Sequence, residues 1–173
     1  DQDKNEHKKI QNRALILIGF AGGFRRSELV SIKYEDIEFV NEGVKILVQR
    51  SKTDQIGLGM TKAIPYFQNK NYCPVTSLRN WINHAKISEG KIFKISDKTV
   101  ALTIQKYALL AGLDKTKYAG HSLRSGFATS TAETGADERS IMAMTGHKTT
   151  QMVRRYIQEA NLFKNNALNK IKI

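Results

Sequence analysis

Ile37-Glu38-Phe39-Val40-Asn41-Glu42-Gly43-Val44-Lys45-Ile46-Leu47-Val48 is the stretch on which the fold class turns. Ile37 and Phe39, then Val44, Ile46 and Val48, fall on every second residue, the period of a strand with one buried face. Gly57 and Gly59 punctuate the way to Ile64, so residues 37–64 are expected to form a small antiparallel sheet. On either side the spacing is helical. The apolar run Ala14–Ala21 follows polar Gln11-Asn12-Arg13 and stops at Gly22-Gly23, the pattern of a buried helix with a glycine terminator. A short helix follows from about Ser27. After Pro74, the positions Val75, Leu78, Trp81, Ile82 and Ala85 recur at helical intervals, as do Val100, Ile104, Tyr107, Ala108 and Ala111. Short helices are expected over His121–Ala132, Asp137–Met144 and after Thr149, separated by Gly135 and Gly146. Helices, a small sheet and then helices imply a mainly helical α+β fold, the sheet packed against helices, rather than a doubly wound α/β fold.

The 173 residues, 40% of them hydrophobic, suffice for one core and are too few for two comfortable domains, so 1–173 is read as one domain. Its 28 Lys and Arg against 16 Asp and Glu leave a net charge of +12, which makes a polyanion the leading class of partner. No stretch has the roughly 18 apolar residues of a membrane span, and the start at Asp1, without Met or a signal segment, suggests a piece of a longer intracellular, cytoplasmic protein. Cys73 is the only cysteine, which excludes an internal disulfide and a thiolate metal cluster.

Several short motifs stand out, and each alone has an ordinary structural explanation. His121 and Arg124, three apart at a helix start, share a face and can address one anion together. Gly146-His147 is followed nine residues later by Tyr156, which sits beside Val153 and Ile157 like a core tyrosine. Gly23-Phe24-Arg25-Arg26-Ser27-Glu28-Leu29 puts arginines at a loop-to-helix junction with a carboxylate three residues on, and Arg50-Ser51-Lys52-Thr53 places Lys52 in the sheet's connection.

Taken in order in one basic chain, Arg25 before Ser27-Glu28-Leu29, Lys52, His121-x-x-Arg124, Gly146-His147 and Tyr156 resemble the tyrosine recombinase (phage integrase) family, over about Ala14 to Ile157. The resemblance implies a catalytic domain that cleaves and rejoins DNA through a 3′-phosphotyrosyl bond, with Tyr156 as nucleophile and no metal or other cofactor. It also implies double-stranded DNA as partner, self-association as a tetramer on that DNA, and neither a membrane nor a small-molecule substrate. Relatives usually carry an N-terminal DNA-binding domain, whereas only some ten residues here precede the expected first helix.

The residue types suit that chemistry. Arg25 and Arg124 offer fixed pairs of N–H donors to phosphate oxygens as negative charge builds. A tyrosine hydroxyl, with an ordinary pKa of about 10, needs a proton acceptor. His121 is the candidate, with His147 donating to a phosphate oxygen, and these two roles are exchangeable at this stage. Lys52 resembles the family's hairpin lysine, which protonates the leaving 5′ oxygen; Lys62 is the second candidate, and Arg50 holds its proton too firmly. Glu28 is expected to orient Arg25 or His121, since a lone carboxylate among cations is a poor metal site. Arg26, Arg50, Arg154 and Arg155 are candidates for neighbouring phosphates. The stripe Phe163, Ala167, Leu168 and Ile171 makes residues 158–173 a tail helix that packs on its own domain or docks into a neighbour. The competing readings are a type IB topoisomerase, which shares the chemistry, and a DNA-binding relative without it.

Overall fold

The computed structural model describes residues 2–49 and 59–161, with side chains described from Asn5 to Gln49 and from Gly59 to Gln158. Helix α1 (Gln2–Ala21) and helix α2 (Arg26–Ser31) lead into strands β1 (Ile37–Val40), β2 (Gly43–Val48) and β3 (Met60–Pro65). Helices α3 (Pro74–His84), α4 (Asp97–Leu110), α5 (Ser122–Glu133), α6 (Glu138–Thr145) and α7 (Thr150–Asn161) complete the described chain. The α+β expectation holds.

The strands form one antiparallel sheet in the order β1-β2-β3, with Ile37 opposite Ile46 and Ile46 opposite Lys62. The two-residue period turns Val44, Ile46 and Val48 of β2 inward, where they join Leu15, Ile18, Phe24, Leu78 and Trp81 in the main core. Pro65 and Pro74 bracket the passage from sheet to α3, and Pro74 occupies the helix's first turn, where its missing N–H costs nothing. Ser96 Oγ caps α4 by accepting from Thr99 N at 3.1 Å, and Asp137 Oδ1 caps α6 by accepting from Arg139 N and Ser140 N at 2.9 and 3.0 Å.

One boundary differs from the sequence reading. Helix α1 begins at Gln2, well before the apolar run that marks its second half, so no ten-residue lead precedes it. Glu6, Lys8, Lys9, Gln11 and Arg13 are all good helix formers, and His7 lies edge-on to Trp81 at 4.8 Å between ring centroids. Helix propensity and the contacts of the His7 ring with Trp81 and His84 extend the element where no apolar stripe announces it.

A second, smaller core of Ala128, Ala132, Ile141 and Val153 joins α5, α6 and α7. Phe20 of α1 meets Phe127 of α5 edge-on at 6.4 Å, and Leu123 packs on the main core, so the two bodies of packing touch along α1 and α5. The candidate site lies along that junction.

Candidate active site

The site begins where α1 stops. Gly23 has a φ of +54°, and a Cβ there would lie 3.0 Å from Phe127 Cδ1 and 3.2 Å from Thr145 Cγ2. Glycine therefore permits both the turn and the close approach of this backbone to α5 and to the end of α6. Phe24 plunges into the core, and Arg25 emerges half-buried at the cap of α2. The Glu28 carboxylate, itself 2% exposed, accepts from Arg25 N at 3.0 Å and from Arg25 Nη1 at 2.5 Å. Of the two partners expected for Glu28, the structure selects Arg25.

Arg26 faces elsewhere. Its Nε lies 3.2 Å from Asp97 Oδ2 of α4, and its side chain runs across Gly120. The adjacent arginines are thus divided, Arg25 toward the junction and Arg26 toward α4.

Arg124, on the first turn of α5, is 5% exposed. Its Nη1 donates to Gly23 O at 3.3 Å and to Thr145 O, which ties α5 to the ends of α1 and α6. Its Nη2 is buried and has no hydrogen-bond partner among the described residues. Burial, followed by the nearby charge of Arg25, lowers its pKa from 12.5 to about 10, partly opposed by Glu28 and Tyr156. Arg124 therefore stays cationic near neutral pH with donor capacity to spare.

Helix α6 ends at Gly146, left-handed at φ 65°, and the chain passes directly into His147. His147 Nδ1 is 2.8 Å from Thr145 Oγ1, which is itself 2.7 Å from Ile141 O. The Thr145 hydroxyl proton is committed to that carbonyl, so Nδ1 must be the donor in the neutral ring, leaving Nε2 with its lone pair. Burial, then Arg124, Arg25 and Lys62, push the His147 pKa from 6.5 down to about 4. The imidazole is neutral at pH 7.

Tyr156 projects from α7, half-buried against the smaller core, with its ring centroid 6.1 Å from that of His147. The two rings share an open cleft with Gln151, Met152 and Arg155. His121 is exposed at the N-cap of α5, and among the described residues no hydrogen bond or ring contact joins its imidazole to the other candidates. Arg154 Nε pairs with Glu138 Oε1 at 3.1 Å on the outer surface of α6 and α7. Lys52, Arg50 and the tail residues Phe163, Ala167, Leu168 and Ile171 lie outside the described residues.

One site residue, Lys62, is named from sequence only as the second candidate for the proton donor, and another, Thr145, is not named at all. Lys62 is completely buried on β3 beside Arg25, Arg124 and His147, and Thr145 fixes the His147 tautomer. The alternation Met60, Lys62, Ile64 was the available signal for the first; no pattern marks the second. Among the described residues no group of three or more His, Cys, Asp or Glu side chains is placed to hold a metal ion, and no helix is long and apolar enough to cross a membrane.

A guanidinium pair, a neutral histidine and a tyrosine converge from separate segments in the order that the sequence motifs require. The chain matches the phage integrase family model over residues 1–162. It belongs to that family. An integrase/recombinase XerD homolog of Selenomonas ruminantium is 47% identical over 98% of this chain and 53% of that protein. The tyrosine recombinase XerA of Pyrococcus furiosus is 30% identical over 91% of this chain and 57% of its own length. The chain thus spans about half the length of these curated relatives. Among solved structures, a XerH site-specific recombinase in a post-cleavage complex with its difH substrate superposes with a TM-score of 0.72 at 19% identity, covering 92% of this chain and 47% of that one. A XerA recombinase crystal structure gives 0.71 at 20% identity over 98% of this chain and 63% of that one. At those identities the likeness shows the fold alone, which this phage integrase family member shares with the XerH and XerA recombinases.

Proposed function

We propose that this phage integrase family chain is the catalytic domain of a site-specific recombinase that cleaves and rejoins double-stranded DNA through a 3′-phosphotyrosyl intermediate. The observation that carries the reading is Arg124, buried and cationic, with an unpaired Nη2 beside Arg25, His147 and Tyr156. An unsatisfied guanidinium nitrogen is costly to bury, and a phosphate oxygen is the partner its planar fork suits best. The named relatives, XerD- and XerA-type recombinases, support site-specific recombination over relaxation or mere binding.

In this mechanism Arg25, braced by Glu28, and Arg124 hold the non-bridging oxygens of the scissile phosphate. Tyr156 Oη forms a bond to phosphorus as the bond from phosphorus to the 5′ oxygen breaks. The phenolic proton goes to His121. Lys52 supplies the proton that the leaving 5′ oxygen takes up, and reversal by a 5′ hydroxyl rejoins the strand. No metal or other cofactor is required, because the phosphotyrosyl bond conserves the energy of the phosphodiester.

The role of His147 follows from its environment. A pKa of about 4 makes it a feeble acceptor for a phenolic proton, which favours His121 as the base. A phosphate anion arriving among Arg25 and Arg124 offsets the field that holds His147 neutral. Its Nε2 then gains a proton and donates to a phosphate oxygen. DNA binding should accordingly take up a proton at pH values just above 4, and affinity should fall as pH rises through the bound-state pKa of His147.

Arg26 and Arg154 are already engaged with Asp97 and Glu138, so any contact they make with DNA competes with an existing pair. Arg155 lines the cleft of Tyr156 and is a further candidate for an adjacent phosphate. The protein is proposed to work in the cytoplasm on the nucleoid, self-associating as a tetramer on DNA, with residues 158–173 either packing at home or docking into a neighbour.

The test is incubation of the chain, without metal or nucleotide, with nicked suicide duplexes. A covalent adduct linked to the DNA 3′ end, and lost in Tyr156→Phe, is expected. Arg25→Ala should slow its formation by about 10²–10³-fold, and Arg26→Ala by far less. Absence of an adduct on DNA that the protein binds specifically would overturn the enzymatic reading.

A further inference from the structure

Lys62 stands in the chain where a strand would ordinarily bury an aliphatic residue. It lies on β3 opposite Ile46, turned inward with Ile64, and none of its surface is exposed. Its Nζ donates to Gly22 O at 2.7 Å and to Met144 O, with Gly23 O at 3.5 Å, and it sits 4.6 Å from the centroid of the Phe24 ring. An ammonium carries three protons and no lone pair, so these carbonyls use its full donor capacity.

Those carbonyls belong to two helix ends. Gly22 and Gly23 close α1, and Met144 lies in the last turn of α6, where the carbonyls have no partners within the helix and the dipole is negative. Arg25 follows Gly23 by two residues, and His147 follows Met144 by three. Any change in the spacing of the two ends moves the arginine and the histidine relative to each other.

We propose that Lys62 is a positioning residue: its buried ammonium clamps the carbonyl ends of α1 and α6 together and so sets the separation of Arg25 and His147 across the phosphate site. It does not serve as the proton donor to the leaving group. A proton on a fully buried Nζ, shared among main-chain carbonyls, has no route to a 5′ oxygen in the cleft. The activity arm of this inference rests on the DNA-cleavage reading above; the spectroscopic arm does not.

The charged and titratable groups around Lys62 are Glu28 from α2, Arg25 ahead of it, Arg124 from α5 and His147 beyond α6. Burial outweighs Glu28, and with the two arginines lowers the Lys62 pKa from 10.5 to about 8. The clamp therefore loses its charge within an accessible pH range, and His147 feels the change.

The test follows the His147 ring by NMR across pH and measures single-turnover cleavage in the wild type and in Lys62→Met. Wild-type His147 should titrate near 4 and its resonances should move again near pH 8. Lys62→Met should abolish the second step and raise the first midpoint. On whichever duplex the wild type forms adducts, Lys62→Met should cleave about 10²-fold more slowly, as expected for misplaced groups. A bridging 5′ sulfur, which leaves without protonation, should not restore its rate, although it should restore Lys52→Ala. Wild-type cleavage by Lys62→Met, rescue by sulfur, or a His147 titration indifferent to Lys62 would each overturn the proposal. Failure of the wild type to form any adduct would strike the recombinase reading and leave the titration to decide this one. Should Lys62→Met not fold, absence of the wild-type step near pH 8 is enough to reject it.

Discussion

The part of the molecule that carries Arg25 and the part that carries Tyr156 are built on different scales. Around α1, α3 and the sheet the core contains Leu15, Ile18, Phe24, Leu78, Trp81 and Phe93, with the Trp81 indole N–H donating to Ile92 O at 2.8 Å. Around α5, α6 and α7 the buried apolar side chains among the described residues are two alanines, one isoleucine and one valine, with Ala136, Met142, Tyr156 and Ile157 packed partly buried against them. Burial of large side chains holds the first part, since each contributes roughly 1.5–3 kcal/mol. Buried polar links join the second part to it: Arg124 Nη1 on Gly23 O and Thr145 O, and Lys62 Nζ on Gly22 O and Met144 O. Among the described residues the proposed phosphate-binding arginine thus rests on the larger core and the proposed nucleophile on the smaller one, the two joined through cations. Segments with few buried apolar contacts open at lower free energy, which suits a tyrosine that must approach and leave a phosphate.

That contrast can be broken by mutation. Leu15→Ala, in the thick core, should cost about 2–5 kcal/mol and weaken the whole molecule, as read by denaturant unfolding. Val153→Ala should cost about 2 kcal/mol from its lost methyls and residual cavity. Its effect should stay local, raising amide exchange in α6 and α7 while α1 and α3 keep their protection. Uniform loss of protection in both variants would show one cooperative body and remove the distinction.

Acid should act on the thin part as well. His147 is held near pKa 4 in the folded protein against an ordinary 6.5, so between those values the unfolded chain binds more protons than the folded one. Stability must therefore fall as pH drops from 6.5 toward 4, and His147→Gln should flatten that part of the profile of Tm against pH. The smallest effect is expected from Arg154→Ala. The Arg154–Glu138 pair is exposed and should be worth no more than about 1 kcal/mol. A larger loss would mean that surface charge, not the buried links, holds α7.

How much of this was legible beforehand depended on whether local periodicity carried the information. The sheet at 37–64 and the helices after Pro74 follow from apolar spacing. The first half of α1 does not, because its residues are helix formers without an apolar stripe. The motif residues that the structure gathers, Arg25, Arg124, His147 and Tyr156, could be named from their order along the chain. The motif order also put Arg25 rather than Arg26 at the site, and the structure supplies the physical reason in the backbone turn at Gly23 and in Glu28 and Asp97 as separate partners. Lys62, named from sequence only as the second candidate for the proton donor, could not be read as a framework residue, because a lysine at an inward strand position contradicts the rule that such positions are apolar. The His147 tautomer rests on a hydroxyl chain from Thr145 to Ile141 that exists only once α6 is wound.

Arg124 is the cation that joins the two parts and is proposed to receive the phosphate. The most direct measurement is single-turnover cleavage and DNA affinity of Arg124→Lys, which keeps the charge and loses the fork. Adduct formation slowed by about 10²–10³-fold, with affinity little changed, is the predicted result. Cleavage at the wild-type rate would mean that a point charge suffices at this position, and that the unpaired Nη2 is not where the phosphate binds.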